Sequence, residues 1–148
     1  MRRDVVILVA EDDDGHFSLI QKNLQRSGIW NDMVRFVDGQ QTLDFLFMRD
    51  GGAKREHSHK YLLLLDIRMP KVDGVEVLER IKQDAELKKM PVIILTTTDD
   101  PREIERCHSL GCSIYIVKPV EYEGFIDAIR KVGLFLSVVE VPRIDGVS

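Results

Sequence analysis

Three features of the sequence predict an α/β fold, a parallel sheet with helices on both faces. Four apolar runs (Val5–Ala10, Leu62-Leu63-Leu64-Leu65, Val92-Ile93-Ile94-Leu95 and Ile114-Tyr115-Ile116-Val117) lack the alternation of a half-exposed strand and suit strands buried on both sides. Helical patterns fall between successive strands, the order that gives a parallel sheet. Finally, each run closes in polar groups: Glu11-Asp12, Asp66, Thr96 and Lys118. In an open α/β sheet ligands bind beyond the carboxyl ends of the strands, so these groups are expected along one edge.

After the first strand and its acids, residues 11–14, a helix is predicted from His16, with Phe17, Ile20, Leu24 and Ser27 on one face and Gly28 as its stop. Residues 33–37 form a short strand, Asp38-Gly39 a turn, and Leu43, Phe45, Leu46 and Phe47 lie on a helix reaching to about Arg49. Residues 50–60 carry Gly51-Gly52 and a mixed-charge run, the composition of a mobile surface loop. Its His57 and His59 lack a Cys or acid cluster nearby and read as solvated histidines rather than metal ligands. Asp73-Gly74 opens a helix with Val75, Val77, Leu78 and Ile81 apolar. Asp99-Asp100-Pro101 starts the next, through Ile104, Cys107 and Leu110 to Gly111. A last helix runs from about Glu121 toward Ser137.

Bulk properties narrow the function classes. At 148 residues the chain reads as one domain, 1–148, with a real core. The net charge of −4 argues against nucleic acid as the main partner. No segment approaches the ~20 apolar residues of a membrane span, and the first apolar run is too short for a signal peptide, so a soluble cytoplasmic protein is expected. Cys107 and Cys112 read as reduced, packed thiols.

The chemistry centres on Asp66. A carboxylate closing a buried apolar strand needs a partner, and Pro70 then ends regular structure. Three carboxylates brought together repel unless something positive sits among them. A hard cation such as Mg²⁺, held by carboxylates, a carbonyl and waters, meets that need. Asp66 can serve as a carboxylate nucleophile forming an acyl phosphate, Lys118 can neutralise phosphoryl oxygens, and the Thr96 hydroxyl can donate to one. Taken singly, residues 11–14 are also an acid-rich helix start, Lys118 a surface lysine, Thr96 an ordinary strand end and Tyr115 a core aromatic. Only their combination and order is specific.

That combination (Glu11-Asp12, Asp66-Ile67-Arg68-Met69-Pro70 with Asp73-Gly74, Thr96 and Lys118-Pro119) resembles the receiver domain of bacterial response regulators, over roughly residues 5–135. The resemblance implies a flavodoxin-like doubly wound (βα)5 fold with a five-stranded parallel sheet in the order 2-1-3-4-5. It implies phosphorylation of Asp66 by a sensor histidine kinase, and Mg²⁺ held by Asp12, Asp66 and the Arg68 carbonyl, with Glu11 helping through water. Thr96 would turn to the phosphoryl group, Lys118 would pair with it, and Tyr115 would be the switch aromatic. Pro119 would follow a cis peptide bond. Asp13 reads as the helix cap rather than a ligand. The Arg68 side chain is expected over the phosphoryl pocket, shielding the acyl phosphate, with Thr97 and Thr98 keeping the rim polar.

The long connection before the central strand, together with the segments around Thr96 and Lys118, is similar to the subgroup associated with bacterial phytochromes, which implies a light-sensing kinase as donor. The apolar surplus in residues 132–141 exceeds what one buried helix face uses. It suggests an interface on the C-terminal helix and tail, 121–148, and a homodimer through the last two helices and the strand between them. A tail folded back on its own core is the other reading. Trp30 reads as packing or a docking contact. The chain is therefore expected to be a single-domain signalling switch rather than an enzyme, passing its state to an unknown downstream protein. The alternative is a receiver-like module that binds a partner without phosphorylation. A phosphohydrolase would need a second acid where Arg68 stands, and no glycine-rich nucleotide loop appears.

Overall fold

A computed structural model describes residues 2–48 and 59–145. Strands β1 (Val5–Ala10), β2 (Met33–Phe36), β3 (His59–Leu65), β4 (Val92–Thr96) and β5 (Ile114–Val117) pair in parallel in the order β2-β1-β3-β4-β5. Helices α1 (Asp14–Arg26), α2 (Gly39–Leu46), α3 (Gly74–Gln83), α4 (Pro101–Leu110) and α5 (Tyr122–Val138) fill the crossovers and the C-terminal side. The flavodoxin-like order and the doubly wound architecture are thus both present.

Alternation along each strand divides the core into two layers. Val5, Ile7 and Val9 of β1, Leu62 and Leu64 of β3, and Ile93 and Leu95 of β4 face Ile20 and Leu24 of α1 and Phe125, Ile129, Val132 and Leu136 of α5. The alternate residues Leu8, Leu63, Leu65 and Ile94 face Leu43 and Leu46 of α2, Val77, Leu78 and Ile81 of α3, and Cys107 of α4. A continuous apolar run therefore has a use for every side chain, which is why β3 carries four leucines in succession.

Capping sets the helix ends more tightly than periodicity does. Asp13 accepts the backbone N–H of His16 at 2.9 Å, so α1 begins at Asp14, two residues earlier than its apolar pattern. Asp38 and Asp73 cap α2 and α3 in the same way. Gly74 is required for a different reason. A Cβ there would stand 2.3 Å from the Asp66 carbonyl oxygen and 2.7 Å from the Ile67 Cα, so only glycine lets α3 start against the turn that follows β3.

One feature corrects the sequence reading and another adds to it. The segment expected to be loop as far as Lys60 is already strand at His59, because Lys60 pairs with Val5 and both residues pair with the tail. The rest of that loop, with His57, and Arg49 lie outside the described residues. The tail supplies a further short strand, β6 (Arg143–Ile144), antiparallel to β3 and added to the five parallel strands. Val141 and Ile144 are buried in the two core layers, each contributing on the order of 1.5–3 kcal/mol. Part of the C-terminal apolar surplus is thereby absorbed by the chain's own core. Leu134 and Val138 on α5, and Trp30 beyond α1, stay exposed. Among the described residues no helix is long and apolar enough to cross a membrane.

Candidate functional site

The parallel sheet brings the carboxyl ends of β1, β3, β4 and β5 to one edge, and the polar residues that close those strands meet there. Backbone bonds fix the frame. The Asp66 N–H donates to the Ala10 carbonyl at 3.1 Å, Glu11 N–H to Phe36 O at 3.0 Å, and Lys118 N–H to Thr96 O at 2.6 Å. Each strand's register is thus carried one residue past its end, into the site itself.

Lys118 lies at the centre, its side chain only 1% exposed. Its Nζ donates to Glu11 Oε1 in a very short contact, to Asp66 Oδ2 at 3.1 Å and to His16 Nδ1 at 3.1 Å. The other oxygen of Asp66, Oδ1, accepts the Arg68 backbone N–H at 3.2 Å. Glu11 is further held by the Asp13 N–H on Oε2, while Arg35 Nε donates to its carbonyl. Burial strips Glu11 of water and pushes its carboxyl up from 4.5 to about 7, with Lys118 pulling the other way and Asp66 adding to the rise. The site is short of positive charge.

That shortage is where a cation fits. Carboxylate oxygens of Glu11, Asp12 and Asp66 lie within 4.8 Å of one another, Asp12 exposed and the other two buried. Three hard anionic donors at a solvent-open edge suit a hard divalent ion that keeps part of its water. Asp13, as the cap of α1, is directed to the helix instead.

Thr96 is fully buried, and its hydroxyl has no hydrogen-bond partner among the described residues. A buried, unpaired hydroxyl costs about 1–3 kcal/mol, so its retention at this edge points to a group that arrives there. Two residues on, the Thr98 carbonyl accepts from the Tyr115 hydroxyl at 2.8 Å, and Thr98 Oγ1 accepts from Arg68 Nε at 3.1 Å. Burial raises the Tyr115 phenol to about 12, so at neutral pH it is a donor. Tyr115 is half-buried against the α3–α4 layer and tethers, through Thr98, the loop that follows β4 and Thr96.

One expectation changes here. The Lys118–Pro119 bond is trans rather than cis, since no described peptide bond is cis. Trans is the ordinary state of an X–Pro bond, and Lys118 is directed by its three acceptors. The Arg68 guanidinium is engaged by Thr98 and, at 3.5 Å, by Glu103 of α4. His16 was not singled out by the sequence. Nothing in its local pattern marks it, because its contact with Lys118 spans 102 positions and exists only once α1 and the β5–α5 loop are packed.

Comparison with known proteins follows the same lines. A model of the response regulator receiver domain family matches residues 7–130. A crystal structure of a response regulator receiver domain from Rhodospirillum rubrum is 45% identical, with a TM-score of 0.88, covering 95% of this chain and 99% of that one. Response regulator Rcp1 of Synechocystis sp. is 31% identical over 93% of this chain and 92% of its own length. Its Mn²⁺-bound structure has a TM-score of 0.84, covering 93% and 98% of the two chains. The phosphorylated cyanobacterial phytochrome response regulator RcpA is 31% identical, with a TM-score of 0.82, covering 93% of this chain and 97% of that one.

Proposed function

The chain belongs to the response regulator receiver family and is a two-component response regulator, and from that premise we propose that Asp66 accepts a phosphoryl group from a sensor histidine kinase in a Mg²⁺-dependent reaction. The observation that carries this reading is the meeting of Asp66 with a buried Lys118, two further carboxylates and the unpaired Thr96 hydroxyl at one sheet edge. In the transfer an Asp66 oxygen forms the new P–O bond while the P–N bond to the donor imidazole breaks, and the imidazole leaves with the electron pair. Lys118 neutralises the phosphoryl oxygens, and the Thr96 hydroxyl donates to one of them. Because the Tyr115 hydroxyl holds the Thr98 carbonyl, movement of Thr96 pulls on Tyr115, giving an ordered switch between Asp66 and the α4–β5 surface.

Glu11, Asp12, Asp66 and the Arg68 carbonyl would hold the Mg²⁺, which when bound offsets the charge between the carboxylates and an anionic phosphodonor. The likeness to Mn²⁺-bound Rcp1 and to phosphorylated RcpA supports both a divalent ion and the acyl phosphate, and the phytochrome association of RcpA supports a light-sensing kinase as donor. Incubation with acetyl phosphate and Mg²⁺ is expected to add a single phosphoryl group by intact mass. EDTA should abolish the addition, and a phosphorylated bacterial phytochrome kinase should replace the acetyl phosphate. No addition under any of these conditions sinks the reading in favour of phosphorylation-independent partner binding.

For output we propose a homodimer across α4, β5 and α5. β5 is an edge strand, Val117, Val120 and Tyr122 are exposed beside it, and a groove of about 460 Å³ between β5 and α5 is lined by Ile114, Ile116, Val132 and Phe135. Light scattering at tens of micromolar is expected to give twice the chain mass when acetyl phosphate and Mg²⁺ are present. A monomer with and without them ends this part of the proposal.

A further inference from the structure

Lys118 is held by two carboxylates and one imidazole. An ammonium has three protons and no lone pair, so in its 3.1 Å contact with His16 Nδ1 the Lys118 Nζ is the donor and the ring nitrogen the acceptor. The backbone and the ring of His16 are each held by a neighbour. Its own backbone N–H is bound by the Asp13 cap at the start of α1, and its ring centroid lies 5.1 Å from that of Phe125 of α5, the two rings tilted by 54°. Lys118, by contrast, stands in the loop between β5 and α5 on a flexible four-carbon stem.

We propose that His16 is the positioning residue that keeps Lys118 beside Asp66 while the phosphoryl group is transferred. The inference rests on the phosphoryl-acceptor reading and deepens it. Two of the three acceptors on Lys118, Glu11 and Asp66, are also the buried oxygen donors for the divalent ion. An ion bound there would draw on the same two carboxylates and repel the ammonium. Among the described residues His16 is the remaining hydrogen-bonding anchor: it comes from a different element, α1, and its ring packs on Phe125. With it, Nζ stays within reach of the incoming phosphoryl oxygens. Without it, Nζ loses one of its three acceptors, and catalysis that depends on its position suffers accordingly.

The test separates the acceptor from the ring. His16→Phe keeps the aromatic contact with Phe125 and removes the acceptor. His16→Asn places an amide oxygen close to the Nδ1 position. At saturating acetyl phosphate and Mg²⁺, the Phe variant is expected to phosphorylate about tenfold more slowly than the parent. Its half-saturating Mg²⁺ concentration should be unchanged, and the Asn variant should recover most of the rate. Phosphorylation of the Phe variant at the parental rate overturns the inference. So does an Asn variant that melts like the parent yet stays as slow as Phe, since that assigns the ring to packing alone. Should the Phe variant fail to fold, His16→Leu replaces it in the same comparison. A parent chain that takes up no phosphoryl group overturns the acceptor reading and this inference with it, whereas an active parent matched by the Phe variant overturns the inference alone.

Discussion

Asp66→Asn is expected to take up no phosphoryl group from acetyl phosphate or from a phosphorylated kinase, while folding as the parent does. An amide offers no anionic oxygen to attack phosphorus, so the effect is loss of the reaction rather than a slower rate. The stability change is small because two terms oppose. Removing one of three clustered carboxylates relieves repulsion with Glu11, whose carboxyl is already raised to about 7. Against this, the amide satisfies only one of the two donors that Asp66 accepts. If its oxygen faces Lys118, its NH₂ opposes the Arg68 N–H. Urea unfolding should place the variant within about 1 kcal/mol of the parent. A phosphoryl group found by intact mass on the Asn variant would move the acceptor to another side chain.

Lys118→Ala is expected to carry the largest stability effect in the site. The ammonium is buried between Glu11 and Asp66, and deleting one member of such a group leaves the other charges uncompensated, at a cost of about 3–5 kcal/mol at neutral pH. Phosphorylation should slow by about 100-fold, since the charge that stabilises the phosphoryl oxygens is gone. The stability loss also has a definite pH dependence. In the parent the Glu11 carboxyl is raised from 4.5 to about 7, first by burial and against the pull of Lys118. Without that pull its folded value rises further. A carboxyl raised on folding contributes stability that is fully present below its unfolded value of 4.5 and is lost as pH rises through the folded one. In EDTA, the gap between parent and variant should therefore be narrow near pH 5 and wide near pH 8, as read from urea midpoints. A gap independent of pH would mean that the destabilisation comes from lost packing and not from unpaired charge.

The strands and helices were legible because their signals are local. Burial on both faces makes β1, β3 and β4 apolar without alternation, and glycine or capping aspartates mark most helix ends. The polar residues at the strand ends were legible too, since each directly follows an apolar run. β6 was not. Two residues, Arg143 and Ile144, carry no periodicity, and their pairing with His59 and Lys60 spans most of the chain. For the same reason His59 resembled loop: its strand character comes from partners rather than from its neighbours.

By itself the sequence determined the layered α/β architecture and the set of groups delivered to the edge: Glu11, Asp12, Asp66, Thr96 and Lys118. Hydrophobic periodicity and chain order are one-dimensional properties, and a parallel sheet converts strand order into a common edge without further information. Only the tertiary structure decided which of those groups touch. It set Lys118 between Glu11, Asp66 and His16, left the Thr96 hydroxyl unpaired, tied Tyr115 to Thr98, turned Arg68 toward Glu103, and folded the tail onto β3. Those outcomes depend on rotamers and on charge balance in a buried space, where a few ångströms separate a paired group from an unpaired one. Such distances arise only when elements far apart in the chain are packed together.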